Sequence, residues 1–153
     1  GVLGADPVFM MTPAVLGTAQ ARDELLRDRS LTGVVEAWNS LTVALVGIGA
    51  LDPSPMLAES GTVQEASERA QLVRAGAVGD VCLHYFDAEG QLAQSGLESR
   101  VLAVDEATLK AVPRRIGVAA GAEKFAAVRG SLLGGWVNIL ITDSTLAARL
   151  AEA

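Results

Sequence analysis

Thr42-Val43-Ala44-Leu45-Val46-Gly47-Ile48-Gly49 sets the architecture of this chain. An almost unbroken apolar run that ends in Gly-x-Gly has the pattern of a strand buried on both faces of a parallel sheet. It predicts a strand over 42–46 and a Gly-rich loop at Gly47-Ile48-Gly49. Two glycines there would let backbone N–H groups approach an anion closely, or would simply make a tight strand exit. The triplet alone leaves both readings open.

Upstream, Val8-Phe9-Met10-Met11 reads as a short buried strand closed by Thr12 and Pro13, followed by helices over 19–27 and 31–40. Downstream, Asp52, Pro53, Ser54 and Pro55 make a loop. A helix over 62–75 follows, with Thr62 as cap, Glu65 as its capping-box partner and Gly76 as its stop. A strand over 81–86 meets the turn Asp87-Ala88-Glu89-Gly90, after which 91–93 pairs back as a hairpin. A helix over 105–111 is stopped by Pro113, and a strand over 115–119 leads to a turn at Gly121. A helix over 123–133 ends at Gly134 and Gly135, and a last strand covers 136–142. Asp143 or Ser144 then caps a final helix. Strands alternate with helices, so the expected fold is α/β: a mostly parallel sheet flanked by helices, with a small antiparallel element, in one domain without internal repeats.

The 153 residues are 50% apolar and 20% charged, which suits one domain with a substantial core. A net charge of -6 and a pI near 4.7 exclude a sequence-independent grip on nucleic-acid phosphates by this segment. The single cysteine, Cys82, is read as a small core residue of a reducing compartment. The longest apolar stretch, 43–51, is broken by glycines and falls short of the roughly 20 residues of a membrane span. The opening Gly1-Val2-Leu3-Gly4, with neither Met nor a basic flank, carries no signal-peptide pattern and reads as a start inside a longer protein.

Ligands of such sheets bind at the carboxyl ends of the strands. The residues expected there are Gly47-Ile48-Gly49, Asp80, Asp87, Gly121 to Lys124, and Thr142-Asp143. Lys124 stands in the first turn of a helix, where free N–H groups already favour an anion; otherwise it is a solvated surface lysine. Asp80 is suited to accept hydrogen bonds from sugar hydroxyls, or is an ordinary turn acid, and Asp87 has more of the β-turn character. His84 lacks a nucleophile, carboxylate or metal-ligand constellation and is read as structural or solvent-facing. Trp38, Trp136 and Phe125 are read as core, and Arg114-Arg115 as a solvated edge or subunit contact.

Five blocks in order, Ala44 to Gly49, Gly76 to Asp80, Phe86 to Gly90, Val118 to Lys124 and Val137 to Asp143, resemble the sugar-binding domain of SorC-type bacterial transcriptional regulators across nearly the whole chain. The resemblance implies a Rossmann-like fold related to sugar-phosphate isomerases. It also implies a cytoplasmic regulator that senses a phosphorylated sugar without a cofactor or metal and binds DNA through an N-terminal helix-turn-helix segment. Neither that segment nor the first part of the effector domain, which supplies a further phosphate loop, is in this sequence, so residues 1–153 would hold part of the pocket. Carried over by motif, Gly47, Ile48 and Gly49 line the pocket, Asp80 contacts sugar hydroxyls, and Gly121 leads to Lys124 as the phosphate-facing base. Asp87 is carried over with them. The sequence departs from the family pattern at Ala120, where a glycine is usual, and at Ser144, where an acid is frequent. A dimer or tetramer is implied, and no membrane contact. The alternatives are a sugar-phosphate isomerase on the same fold, because fold does not fix function, and a purely structural assembly domain.

Overall fold

The computed structural model describes residues 4–51 and 66–153. The strands are β1 (Val43–Gly47), β2 (Gly49–Ala50), β3 (Gly79–Val81), β4 (His84–Phe86), β5 (Arg114–Val118) and β6 (Ile139–Ile141). The helices are α1 (Ala19–Leu26), α2 (Thr32–Asn39), α3 (Ala66–Arg74), α4 (Glu106–Ala111), α5 (Phe125–Leu133) and α6 (Ser144–Ala151). Single 3-10 turns precede α2 at Arg29–Leu31 and α5 at Ala122–Lys124. Two sheets result. One is parallel with order β1-β5-β6, and the other is antiparallel with order β2-β3-β4.

Asp143 and Gly76 make the helix ends expected of them, and Thr18 and Asp105 act as further caps. Thr18, Asp105 and Asp143 have extended backbones, and their side-chain oxygens accept the amides of Ala21, Thr108 and Leu146. At the end of α3, Gly76 takes φ +76. Its N–H then donates to the Val73 carbonyl, and the Ala77 N–H to that of Leu72, the paired bonds of a glycine-terminated helix. The capping pair Thr62 and Glu65 and the loop from Asp52 to Pro55 lie outside the described residues.

The main core lies between one face of the parallel sheet, α4, α5, α6 and the β3–β4 hairpin. Ala44, Val46 and Leu140 of the sheet pack on Ile48, Val81, Phe86, Leu109, Val128, Trp136 and Leu146. Trp136 is completely buried, its ring stacked against those of His84 and Phe86, and its Nε1–H donates to the Gly90 carbonyl at 2.9 Å.

Several expectations are corrected. Residues 8–11 are not a buried strand: Phe9 is 71% and Met11 86% exposed, and without a neighbouring strand to accept its backbone bonds the segment stays irregular. β1 is not buried on both faces, since the packed helices cover only its Ala44 and Val46 side and Leu45 is 69% exposed. The run over 81–86 is a tight hairpin rather than one strand. Cys82 (φ 52) and Leu83 (φ 65) form its two-residue turn, a left-handed pair usually made by Asn and Gly. Cys82 is therefore a half-buried turn residue packed against the core edge, not a residue within a buried strand. The last strand is confined to Ile139–Ile141, because Trp136 and Val137 are taken into the core before it begins. Pairing back after Asp87 is reduced to a single bridge, Phe86 with Leu92.

Candidate functional site

Parallel strands aligned in register deliver their carboxyl ends to one edge of the sheet. Gly47 pairs with Val118, and Val118 with Ile141, so the chain leaves all three strands side by side. Gly47-Ile48-Gly49, the turn from Ala119 to Lys124, and Thr142-Asp143 meet there. The Ile48 N–H donates to the Val118 carbonyl at 3.3 Å and the Ala119 N–H to that of Ile141 at 3.2 Å, which continues the sheet beyond its formal end.

Gly47-Ile48-Gly49 is more than a loop. Ile48 is buried in the main core, whereas Gly49 already belongs to β2 and pairs with Asp80 of β3. That pairing explains the glycine: a Cβ at position 49 would fall 1.9 Å from Asp80 Oδ1. Gly47 is different, because a Cβ there would meet nothing within 4 Å.

Lys124 reaches across to this loop, its Nζ donating to the Ile48 carbonyl at 3.2 Å. Asp80 Oδ2 accepts the Leu83 N–H at 3.0 Å and so holds the strained turn of the hairpin. Burial pushes the Asp80 carboxyl above the ordinary carboxylate range, opposed by the Leu83 N–H and by the charges of Lys124 and His84. Four of the expected residues, Ile48, Gly49, Asp80 and Lys124, thus form one connected group.

The sign of the Asp80 shift yields a prediction. A carboxyl whose folded pKa lies above its unfolded value favours folding most at pH below the unfolded value. That advantage is lost as pH rises through the folded one, which leaves the ionised group a standing cost at neutral pH. Asp80→Asn removes the charge, and its amide oxygen can still accept from Leu83. The variant is expected to be more stable by about 1 kcal/mol at neutral pH, or about 2–4 °C in melting temperature, with the gain shrinking towards about pH 4. Circular-dichroism melts across that pH range check it; a lower melting temperature at neutral pH would mean that the attraction to Lys124 outweighs desolvation.

Gly121 and Asp87 stand apart from the group. Gly121 takes φ +106, and its N–H donates at 2.8 Å to Asp143 Oδ2. Asp87 spends Oδ1 on the amides of Glu89 (3.1 Å) and Gln91 (2.8 Å), so it is the acid of its own turn. His84 Nε2–H donates at 2.7 Å to the Val104 carbonyl and the ring stacks on Trp136, which is the structural of the two roles expected for it. Of the two cap candidates Asp143 and Ser144, Asp143 makes the cap, and it has a second task at Gly121. The Thr-Asp pair between an apolar strand and a helix start is the only sequence signal for it. Among the described residues no group of His, Cys, Asp and Glu is arranged to hold a metal ion, and no helix is long and apolar enough to cross a membrane.

Residues 2–152 match the family model described as "Putative sugar-binding domain". The deoxyribonucleoside regulator of Bacillus subtilis is 30% identical over 146 residues, covering 95% of this chain and 46% of that protein. The sorbitol operon regulator of Klebsiella pneumoniae is 30% identical over 143 residues, 92% of this chain and 44% of that protein. The crystal structure of that full-length regulator, SorC, superposes with a TM-score of 0.79 over 90% of this chain and 45% of its own. A transcriptional regulator from Streptococcus pneumoniae superposes with a TM-score of 0.85 at 26% identity, over 95% of this chain and 55% of its own. The chain therefore spans about half the length of the curated relatives it matches.

Proposed function

The chain belongs to the sugar-binding domain family of SorC-type transcriptional regulators, and from that premise we propose that it is the effector-sensing part of such a regulator, binding a phosphorylated sugar at the edge formed by Gly47-Ile48-Gly49, Asp80 and Lys124. The observation that carries this reading is the Lys124–Ile48 contact beside Asp80. It sets a cation suited to a phosphate next to a carboxylate suited to sugar hydroxyls, at the edge where α/β sheets hold ligands. Gly121 contributes through the turn that carries Lys124. Asp87 acts on the site only through the hairpin.

Binding shifts the regulator between DNA-competent and DNA-incompetent populations through differential affinity, and no catalytic step is required. DNA is contacted by a helix-turn-helix segment outside this chain, since the charge of -6 gives this part no footing on phosphates. The rest of the effector domain completes the pocket, and the regulator works in the cytoplasm as a dimer or tetramer on paired operator half-sites. One feature favours the isomerase alternative: Asp80, a buried carboxyl with a raised pKa, has the character of a general base. Its Oδ2, however, is committed to Leu83, and the neighbouring Cys82 thiol is pushed up by burial and by the Asp80 charge, away from the reactive thiolate.

Thermal unfolding of the chain joined to the remainder of its effector domain, against phosphorylated sugars and their unphosphorylated counterparts, tests the reading. A ligand at 100 times its Kd adds about 2.7 kcal/mol, or roughly 5–10 °C. A shift with one phosphorylated sugar and not its parent sugar is expected; a flat panel would remove the sensor reading, and NMR-detected interconversion of a sugar phosphate would replace it with an enzyme.

A further inference from the structure

We propose that α6 is a clamp that aims Lys124, with Asp143 and Arg149 as its positioning residues, an inference that rests on Lys124 being the phosphate-facing base. The turn that carries Lys124 has little to stiffen it from within. It begins at Gly121 in a left-handed conformation and continues as a 3-10 helix of three residues, Ala122–Lys124, with no side-chain cap. Three contacts from α6 hold it from outside. Asp143 Oδ2 accepts the Gly121 N–H at 2.8 Å, Arg149 Nη1 donates to the Ala122 carbonyl at 3.3 Å, and the Arg149 guanidinium lies 4.1 Å from the Phe125 ring centroid. These contacts take hold on both sides of Lys124 in sequence.

Asp143 joins two structures with one carboxylate. Oδ1 caps α6 at the Leu146 N–H (2.9 Å), and Oδ2 holds the turn, so the helix start and the lysine turn share a single anchor. The arrangement also removes the Gly121 N–H from the donors open to an anion, so that the turn's charged donor is the Lys124 ammonium. Aim then matters more than backbone cradling.

The two oxygens let the roles be separated. Asparagine has one acceptor oxygen, so Asp143→Asn can keep the cap, for which Asn is a good residue, but must give up Gly121. Arg149→Met leaves the cap untouched and removes the grip on Ala122 and Phe125.

The test takes the chain joined to the remainder of its effector domain, as wild type, D143N, R149M, K124A and D143N/K124A, and titrates it with inorganic phosphate, and with sorbitol as the uncharged control, following the amide resonances of residues 121–125. Each clamp variant is expected to raise the phosphate Kd about fivefold or more, while the sorbitol response stays within about twofold and the melting temperature within a few degrees. D143N added to K124A is expected to change nothing further, because Asp143 acts through Lys124. Unchanged phosphate binding in both clamp variants overturns the inference. So does tighter phosphate binding by D143N, which would make Asp143 an occupant of the anion position, or an undiminished D143N effect in the K124A background. If K124A itself leaves phosphate binding intact, or wild type binds no phosphate, the base assignment has failed and the clamp falls with it. If K124A weakens phosphate binding and the clamp variants do not, the clamp alone has failed.

Discussion

Gly90→Ala is expected to cost at least about 4 kcal/mol and to lower the melting temperature by about 8–16 °C, enough to leave a marginal domain largely unfolded. The turn after β4 crosses the end of α5 with backbone against backbone. A Cβ on Gly90 would lie 2.3 Å from the Gly134 nitrogen and 2.4 Å from the Gly130 carbonyl oxygen. No side chain stands between them to rotate away. Gly90 also takes φ +78, where a Cβ adds roughly 1–2 kcal/mol. Separating the two backbones breaks the buried bond from Trp136 Nε1 to the Gly90 carbonyl, adding about 1–3 kcal/mol for the orphaned group. Gly135→Ala is the control: Gly135 has φ +69 but open space around its α-carbon, so only the conformational cost applies. Chemical denaturation of both variants separates the terms. Equal losses at the two positions would show that the crossing relaxes freely and that only φ matters.

That crossing shows where the sequence was readable and where it was not. Gly134 and Gly135 are legible as the end of a helix, and Gly90 as the end of a turn, because each is a local signal. Their meeting across more than 40 positions is not local and has no signature in one sequence. The same division holds elsewhere. Helices capped by Thr18, Asp105 and Asp143 lie within a residue or two of their expected bounds, since a cap is a bond between neighbours. The Cys82-Leu83 turn has no sequence signature, because two residues with a strong dislike of positive φ stand where Asn-Gly would announce it. What fixes it there is the Asp80 carboxylate on the Leu83 amide, a bond that neither the ligand-contact nor the turn-acid reading of Asp80 assigns to the turn three residues on. Val8 to Met11 failed for the opposite reason: its apolar pattern is that of a strand, but pattern cannot supply the neighbouring strand. At the site, the order of motifs was enough to bring Ile48, Gly49, Asp80 and Lys124 together. It was not enough to show that the Gly121 amide already has a carboxylate partner.

Lys124→Ala is expected to weaken a phosphorylated sugar by about 10- to 150-fold while changing the affinity of its unphosphorylated counterpart by less than about threefold. The range is that of one charge-assisted hydrogen bond, about 1.5–3 kcal/mol, lost from the phosphate alone. The free protein complicates the reading in a predictable way. Lys124 bonds to the Ile48 carbonyl at 3.2 Å, and its charge lowers the pKa of Asp80. Removing it loosens the 47–49 loop and drives the Asp80 carboxyl still higher, so part of any melting-temperature change reflects the unliganded site. Affinities, compared as a ratio between the two sugars, cancel that common contribution. Lys124→Arg sharpens the test: a guanidinium keeps the charge but spreads its donors over a planar fork. If charge alone matters, arginine restores most of the ratio; if a single donor aimed from the Gly121 turn matters, the ratio stays low although the charge is back. Calorimetric titration of the three proteins with one sugar phosphate and its parent sugar decides between them. Equal losses for both sugars in Lys124→Ala would take the phosphate away from this lysine and leave it as a strut between the turn and the loop.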